Sequence, residues 1–373
     1  MKTFKKAAAA VLAAVMAVTC FAGCGKAKNT EYFIGCTGPL TGDASSYGIS
    51  VKNGAQLAIE EINAAGGLNG VNFKFDMKDD KAAAADAATG YDALFDAGMQ
   101  ISIGSVTSGS CESFASKAKE DNLFFITPSA SAANVIADRP NGFRVCFGDP
   151  DQGTLAAQEL ASKYNNIGAI YDTSDAYSKG IFDAFEAEMK NLNKTFNPQS
   201  FDAETKKDFS TQVEALKDCD VIFLPIYYTE ASLIAKACTA KGCKALLFGC
   251  DGLDGIADLI DATSVTNQIK YITPFDVNST DENVSKFVNA YKAKYNTVPD
   301  QFAADGYDAI MVIFNAMKAA GVNDVSISPS DLCELVVKAI TDASFSYTGA
   351  TGKMTWDVSG ACNKVPQIVE LNK

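Results

Sequence analysis

The chain has 373 residues, with 45 acidic side chains against 32 basic ones, and no histidine. Its net charge of −13 argues against nucleic acid or an anionic membrane surface as a partner, because both repel an acidic protein. The absence of histidine excludes Ser-His-Asp and Cys-His nucleophiles and zinc sites that use imidazole. Lysine, carboxylate and tyrosine chemistry stays open, but we expect no enzyme, metal or cofactor.

The first segment, residues 1–23, is predicted to be a secretory signal. Lysines precede a short apolar run, and small residues lead up to Cys24. Residues 22–24 resemble the lipobox of bacterial lipoproteins, which implies that Cys24 is lipidated and that 24–30 form a tether. The protein would then be extracytoplasmic and anchored to the cell membrane by lipid alone. Cleavage before Cys20, or a plain signal without lipid, is the alternative.

The remaining chain is longer than one hydrophobic core usually serves, so two lobes are expected. Strand-like and helix-like segments alternate along it, which predicts α/β architecture with parallel central sheets. The first series comprises strand 32–36, helix 55–62, strand 71–77, helix 82–95, strand 101–106, helix 110–122 and strand 123–127.

A second series of the same kind begins near Asp149. It comprises strand 167–171, helix 179–191, strand 221–225, helix 230–241, strand 245–248 and strand 270–273. Helical patterns over 283–295, 303–320 and 331–341 and a final strand over 367–371 must join one of the two series. Two Rossmann-like lobes with several crossings between them predict a ligand cleft.

The eleven cysteines do not form a regular framework. Cleavage and lipidation would leave an odd number, and the spacing contains no C-x-x-C. Cys36, Cys219 and Cys250 lie in strand-like apolar runs, where a buried thiol is expected. Among the cysteines after Cys24, Cys238 and Cys243 are the only close pair, and a bridge between them is the alternative to free thiols. We therefore expect mostly free thiols.

Hydroxyl-rich loops follow two strands of the first series. Residues 105–110 lead from one strand directly into a helix, and residues 127–131 follow the next strand. Ligands of open α/β sheets bind beyond the carboxyl ends of the strands, and a helix N-terminus with hydroxyl groups binds anions. The two loops therefore favour a small carboxylate, with simple helix capping as the alternative.

The second series places tyrosines and one acid at its strand ends. Asp172 and Tyr177 follow the first strand, Tyr227 follows the next, and Asp251 follows a third. Tyrosines can cover a ligand, and a carboxylate can hold an ammonium group. Together with the hydroxyl-rich loops, these residues predict a site for a zwitterion. Capping of the next helix is the other interpretation of Asp251.

Five segments carry a family resemblance: 38–42 (GPLTG), 54–67 (GAQLAIEEINAAGG), 79–80 (DD), 126–129 (ITPS) and 227–230 (YYTE). In them the chain resembles the type I periplasmic solute-binding proteins of branched-chain amino acid transport. The resemblance implies a three-crossing hinge, with crossings near 147–149, 275–278 and 353–357. It gives a first lobe of 31–147 plus 278–354 and a second lobe of 148–277 plus 355–373.

The resemblance also assigns ligand-binding residues in this sequence. Ser108 would bind the carboxylate, and Asp251 would bind the ammonium group. The further contacts would come from Ser129, Ser131, Tyr177 and Tyr227, and the side-chain pocket from Tyr47, Val106 and Phe275. Three departures stand out. Ser131 replaces a threonine, Asp251 is one methylene shorter than the family's glutamate, and the early disulfide is missing, with Lys81 and Thr107 near its positions.

The implied function is that of a substrate-binding protein of an ABC importer. It would bind a small amino acid, branched-chain or a related aliphatic or polar one, and deliver it to permease subunits. The alternatives are a binding protein for another small molecule, such as an amide or aromatic acid, and the ligand-binding component of a sensory system. A hydrolase on this scaffold would need a base that the sequence does not supply.

Overall fold

A computed structural model of the chain describes residues 29–261 and 263–371. The predicted signal, Cys24 and most of the tether lie outside these residues. Within the described ranges, no helix is both long and apolar enough to cross a membrane.

The first sheet has five strands, all parallel, in the order β2-β1-β3-β4-β5. Every residue of the strand Tyr32–Gly38 is buried, because helices cover both faces of the sheet. The strands are β1 (Tyr32–Gly38), β2 (Phe73–Asp79), β3 (Ile101–Ser102), β4 (Phe125–Thr127) and β5 (Gly142–Arg144), and the helices between them are α1 (Ser45–Ala64), α2 (Ala84–Asp96) and α3 (Ser108–Glu120).

The second sheet has six strands in the order β13-β10-β9-β8-β6-β7, parallel except for the last strand of the chain. Its strands are β6 (Ile167–Asp172), β7 (Asn197–Phe201), β8 (Val221–Leu224), β9 (Leu246–Gly249), β10 (Ile269–Thr273) and β13 (Gln367–Glu370). Its helices are α4 (Asp149–Lys163), α5 (Ala176–Asn191), α6 (Ser210–Leu216) and α7 (Tyr228–Lys241).

The C-terminal helices return to the first sheet. They are α8 (Glu282–Tyr295), α9 (Gln301–Ala319) and α10 (Pro329–Ile340), followed by the antiparallel pair β11 (Tyr347–Gly349) and β12 (Gly352–Met354). Helix α9 lies along α1 so closely that a Cβ on Gly54 would be 1.9 Å from the carbonyl oxygen of Ala303. The chain crosses from one lobe to the other three times, after β5, after β10 and after β12. The predicted α/β fold with two lobes and three crossings is confirmed, while the residue boundaries of the lobes stay a prediction.

Several elements differ from the sequence prediction. Helix α1 begins at Ser45 rather than at residue 55, and the strand predicted over 101–106 ends at Ser102. The edge strand β7 was missed because it contains Pro198 and is largely exposed, so it carries no apolar pattern. Strand β5 was missed because it has only three residues and includes the buried Arg144.

Candidate functional site

The carboxyl ends of the two parallel sheets face each other across a cleft. The loops after β3 and β4 form one wall, and those after β6, β8 and β9 form the other. A cavity of about 10 Å³ lies between the walls, close to the minimum that holds one water molecule. It is lined by Tyr47, Val106, Thr107, Ser108, Ser129, Tyr177, Tyr227, Asp251, Gly252 and Phe302.

On the first wall, two hydroxyl groups join the serine-rich loops to each other. Ser129 Oγ donates to the carbonyl oxygen of Val106 at 2.7 Å, and Ser108 Oγ accepts from the N–H of Ala132 at 3.1 Å. Thr107 precedes α3 and is 5% exposed, and its hydroxyl has no partner among the described residues. The first turn of α3 therefore offers backbone N–H groups, a positive dipole end and one free hydroxyl to an anion.

On the second wall, Asp251 is a buried carboxylate with a fixed orientation. Its Oδ1 accepts from the hydroxyl of Tyr177 at 2.7 Å, and that hydroxyl accepts from the N–H of Gly252 at 2.8 Å. The N–H of Asp251 donates to Oε1 of Gln152 at 3.0 Å. Burial raises the pKa of Asp251 to about 6, although the hydrogen bond from Tyr177 and the neighbouring Gln152 amide favour the charged form. A cationic ligand group would stabilise this carboxylate.

Tyrosine rings cover the cavity. Tyr177 and Tyr227 stack with 4.9 Å between ring centroids, and Tyr47 meets Tyr227 edge-on at 5.6 Å. Burial raises the pKa of all three hydroxyls well above the usual value, so they act as neutral hydrogen-bonding groups. Phe302, at the start of α9, packs on the Tyr47 ring with 4.2 Å between centroids.

Two predicted site residues lie elsewhere. Phe275 packs against Phe287 of α8 with 6.0 Å between ring centroids, and Phe302 forms the cavity wall in its place. Ser131 is fully buried behind the first wall, where its carbonyl oxygen accepts from the N–H of Asp149 at 3.0 Å. No sequence signal marked Phe302, because an aromatic residue at a helix start is ordinary core material.

Asp149 and Gln152, in the first turn of α4, were missed by the sequence analysis. Both carboxylate oxygens of Asp149 and Nε2 of Gln152 are buried without a partner in the described part of the chain. Burial raises the pKa of Asp149 well above its usual value, while Ser131 and Arg144 oppose the rise. An aspartate three residues before a glutamine at a helix start resembles ordinary capping, so the sequence did not mark this pair as part of a site.

Contacts between the walls hold the cleft closed. The hydroxyl of Tyr47 donates to the carbonyl oxygen of Gly252 and accepts from the N–H of Tyr228 at 3.1 Å. Thr229 Oγ1 donates to the carbonyl oxygen of Asp43 at 2.8 Å. Because the cavity is so small in this arrangement, a ligand of amino-acid size can enter only when the lobes move apart.

A second, larger cavity of about 350 Å³ lies at the mouth of the cleft. It shares Thr107 and Tyr227 with the inner cavity. Lys206 lies at its edge, with Nζ 3.4 Å from Glu230 and 3.6 Å from Asp43. This lysine bridges an acid on each side of the cleft.

The residues that line the inner cavity limit which ligand groups it can bind. Among the lining residues of the described chain, none is lysine or arginine, so a bound carboxylate would rely on hydroxyl and backbone donors. No cluster of three metal-ligating side chains occurs in residues 29–261 and 263–371. One buried acid faces a helix N-terminus across the cavity. Such an arrangement suits a small molecule with both a cationic and an anionic group.

Comparison with known proteins identifies the class. The profile of a family described as periplasmic binding protein matches residues 31–363, so the chain belongs to that family. It is therefore a solute-binding protein that works outside the cytoplasm, and the resemblance noted from its motifs is confirmed. The binding roles of the individual cavity residues stay predictions.

The similar proteins include a Leu/Ile/Val-binding protein, a leucine-binding protein and a solute-binding protein in complex with benzoate. The Leu/Ile/Val-binding protein BraC3 of Rhizobium johnstonii is 28% identical over 89% of each chain. The crystal structure of leucine-binding protein LivK from Thermotoga maritima gives a TM-score of 0.81 at 25% identity, covering 90% of this chain and 94% of that one. A benzoate complex of a solute-binding protein from R. palustris gives a TM-score of 0.80 at 20% identity, over 92% and 93%, and shares the fold.

Proposed function

We propose that this protein is the substrate-binding component of an ABC importer that binds a small α-amino acid between its lobes and delivers it to permease subunits. The observation that carries the proposal is the buried carboxylate of Asp251 across the cavity from the N-terminus of α3. The ammonium group would pair with Asp251, and the carboxylate would accept from Ser108 and backbone N–H groups. The names of the relatives BraC3 and LivK support an amino acid as ligand.

The side chain of the ligand would contact Tyr47, Val106 and Phe302, because these residues form the apolar part of the cavity wall. This wall favours an aliphatic side chain, branched or small. Ser129 and Tyr227 would complete the contacts to the polar groups, and Ser131 would act from behind the wall. Binding would proceed by closure of the lobes, which excludes water and strengthens both charged contacts.

An aromatic acid is the second candidate, supported by the benzoate complex of the structural neighbour. Such a ligand has no ammonium group, so it would leave Asp251 buried and unpaired. A sensory role uses the same cleft and differs only in the partner. We further propose that lipidated Cys24 anchors the protein to the cell membrane, and that the lobes divide at 147/148, 277/278 and 354/355.

A thermal-shift screen tests the proposal. The purified protein, stripped of bound ligand by unfolding and refolding, is screened against amino acids, amides, aromatic acids and sugars. A ligand at one hundred times its dissociation constant stabilises the folded state by about 2.7 kcal/mol, which raises the unfolding midpoint by several degrees. Shifts confined to α-amino acids are expected. Shifts given only by acids without an ammonium group would contradict the role of Asp251.

A further inference from the structure

The C-terminal end of α7 brings two buried cysteines together. Gly242 is left-handed with φ at 71°, the N–H of Cys243 donates to the carbonyl oxygen of Cys238 at 2.9 Å, and the N–H of Gly242 donates to that of Thr239 at 3.2 Å. These two bonds define a Schellman motif, in which the side chains at the two ends commonly contact each other. Here those side chains are the thiols of Cys238 and Cys243, both of which are buried beneath the turn.

The two thiols are chemically unequal. The neighbouring Cys238 thiol, aided by the N–H of Ala245, lowers the pKa of the Cys243 thiol, and the neighbouring Cys243 raises the pKa of Cys238. The thiolate is the nucleophile in disulfide exchange, so Cys243 is suited to attack and Cys238 to resolve the product. A low-pKa thiol beside a second thiol is typical of redox-active cysteines.

None of the other cysteines in the described chain has a lowered thiol pKa. Burial raises the pKa of the Cys36 and Cys250 thiols well above the usual value and that of Cys111 to about 11. They also lie inside or beside the sheets, whereas Cys238 and Cys243 lie under an exposed turn over 240–242. Opening of the last helical turn, a small local fluctuation, would expose the pair to a reagent.

We propose that Cys238 and Cys243 form a redox-active pair that a small-molecule disulfide converts to an intramolecular disulfide bond at the end of α7. The Cys243 thiolate attacks one sulfur of the reagent, forms a mixed disulfide and releases one thiolate. Cys238 gives its proton to water and attacks Sγ of Cys243, which releases the second thiolate. Two electrons pass from the protein to the reagent, and one disulfide is exchanged for another.

The geometry and the compartment both suit this bond. A disulfide requires its two Cα atoms to be within a short range, and the direct hydrogen bond between the main chains of Cys238 and Cys243 holds them close. Disulfides form and persist mainly outside the cytoplasm, where proteins of this family work. The bond would lock the C-terminal end of the helix whose first residue, Tyr228, contacts the opposite lobe.

Peptide mapping tests the proposal on the unmodified protein. The purified chain is incubated with glutathione disulfide, quenched with acid, alkylated with N-ethylmaleimide while denatured, and digested with trypsin. Cleavage after the lysines at 236, 241 and 244 places the two cysteines in separate peptides, 237–241 and 242–244. A disulfide-linked pair of these peptides is expected, with Cys36 and Cys111 recovered as alkylated thiols. Reduction with dithiothreitol should reverse the link.

Two variants test the order of the steps. Cys238→Ser should leave glutathione trapped on Cys243, and Cys243→Ser should leave Cys238 unreacted. Cys219, whose Sγ is 3.6 Å from Oδ1 of Asn166, is the nearest competitor and serves as control through Cys219→Ser, which should oxidise like the parent protein. A link from Cys243 to the peptide 218–236, or no link in the folded parent protein, would overturn the proposal.

Discussion

At the scale of single residues, Asp251 makes the sharpest contribution to the proposed specificity. We expect Asp251→Asn to weaken amino acid binding by about 2–5 kcal/mol, because it leaves the ligand's ammonium group buried without a charged partner. The asparagine oxygen can still accept from Tyr177, so the fold should persist. Isothermal titration calorimetry measures the loss. Asp258→Asn, an exposed change on the same segment, should bind like the parent protein, and equal affinities in both variants would refute the assignment.

The pKa of Asp251 also predicts a pH dependence of binding. Because burial raises this pKa to about 6, the carboxyl group is increasingly neutral below that pH and loses its attraction for an ammonium group. Affinity should therefore fall about tenfold per pH unit below 6 and be constant above about 7. Dissociation constants measured between pH 5 and 8 check this, with Asp251→Asn expected to flatten the profile. A profile that rises toward acid pH would contradict the prediction.

The raised pKa of Asp251 has the opposite effect on the stability of the ligand-free protein, which it favours at low pH. A carboxyl group with a raised pKa binds its proton more tightly in the folded state than in the unfolded one. Its contribution to stability is therefore present at low pH and is lost as pH rises from about 4 toward 6, the interval between the ordinary value and that of Asp251. Bound ligand would compensate for this loss, since its ammonium group stabilises the charged form.

At the scale of elements, the packing of α1 on α9 depends on glycine. A Cβ on Gly54 would lie 1.9 Å from the carbonyl oxygen of Ala303, so Gly54→Ala must push the helices apart. We expect a loss of about 1–3 kcal/mol in the free energy of unfolding, seen as a lower thermal midpoint. Gly109→Ala, in the first turn of α3 with nothing within 4 Å, is the control and should leave the midpoint unchanged or slightly raised. Equal midpoints would contradict the close-packing argument.

The elements that were predictable from sequence are the buried ones. Residues 32–36 of β1 lack polar side chains because both faces of the strand are covered, and the apolar residues of α1 at 55, 58, 59 and 62 lie on its buried face. The edge strand β7 has one exposed face and a proline, so nothing in its pattern separates it from a loop. The serine-rich loops and the tyrosines could be placed at the cleft because ligands bind at strand ends in this type of sheet.

At the scale of the whole molecule, the sequence could not predict which side chains meet across the cleft. Tyr47 and Tyr228 are far apart in the chain, and their contact depends on the relative position of the two lobes. For the same reason, the sequence could not show that Phe302 lines the cavity whereas Phe275 packs against α8. Residues on strand-end loops are fixed by one lobe alone, whereas these aromatic contacts require the packed assembly of both.

Tyr47 links the lobes, so its hydroxyl should influence closure. Tyr47→Phe leaves the carbonyl oxygen of Gly252 and the N–H of Tyr228 without their partner in the closed form only. An unpaired buried polar group costs about 1–3 kcal/mol, so ligand affinity should fall roughly 5- to 150-fold. Small-angle X-ray scattering of the ligand-free variant should show a larger radius of gyration, a change that the loss of a ligand contact alone would not cause.

Tyr91→Phe is the matched control for this prediction, because its hydroxyl donates to Asp121 at 2.8 Å within the first lobe. It removes one partly buried hydrogen bond of a tyrosine hydroxyl without touching the cleft. We expect it to lower the thermal midpoint while leaving affinity and radius of gyration unchanged. If Tyr91→Phe and Tyr47→Phe behaved alike, the effect of Tyr47 would be one of general stability. A difference confined to affinity and radius would assign the Tyr47 hydroxyl to the closure of the lobes.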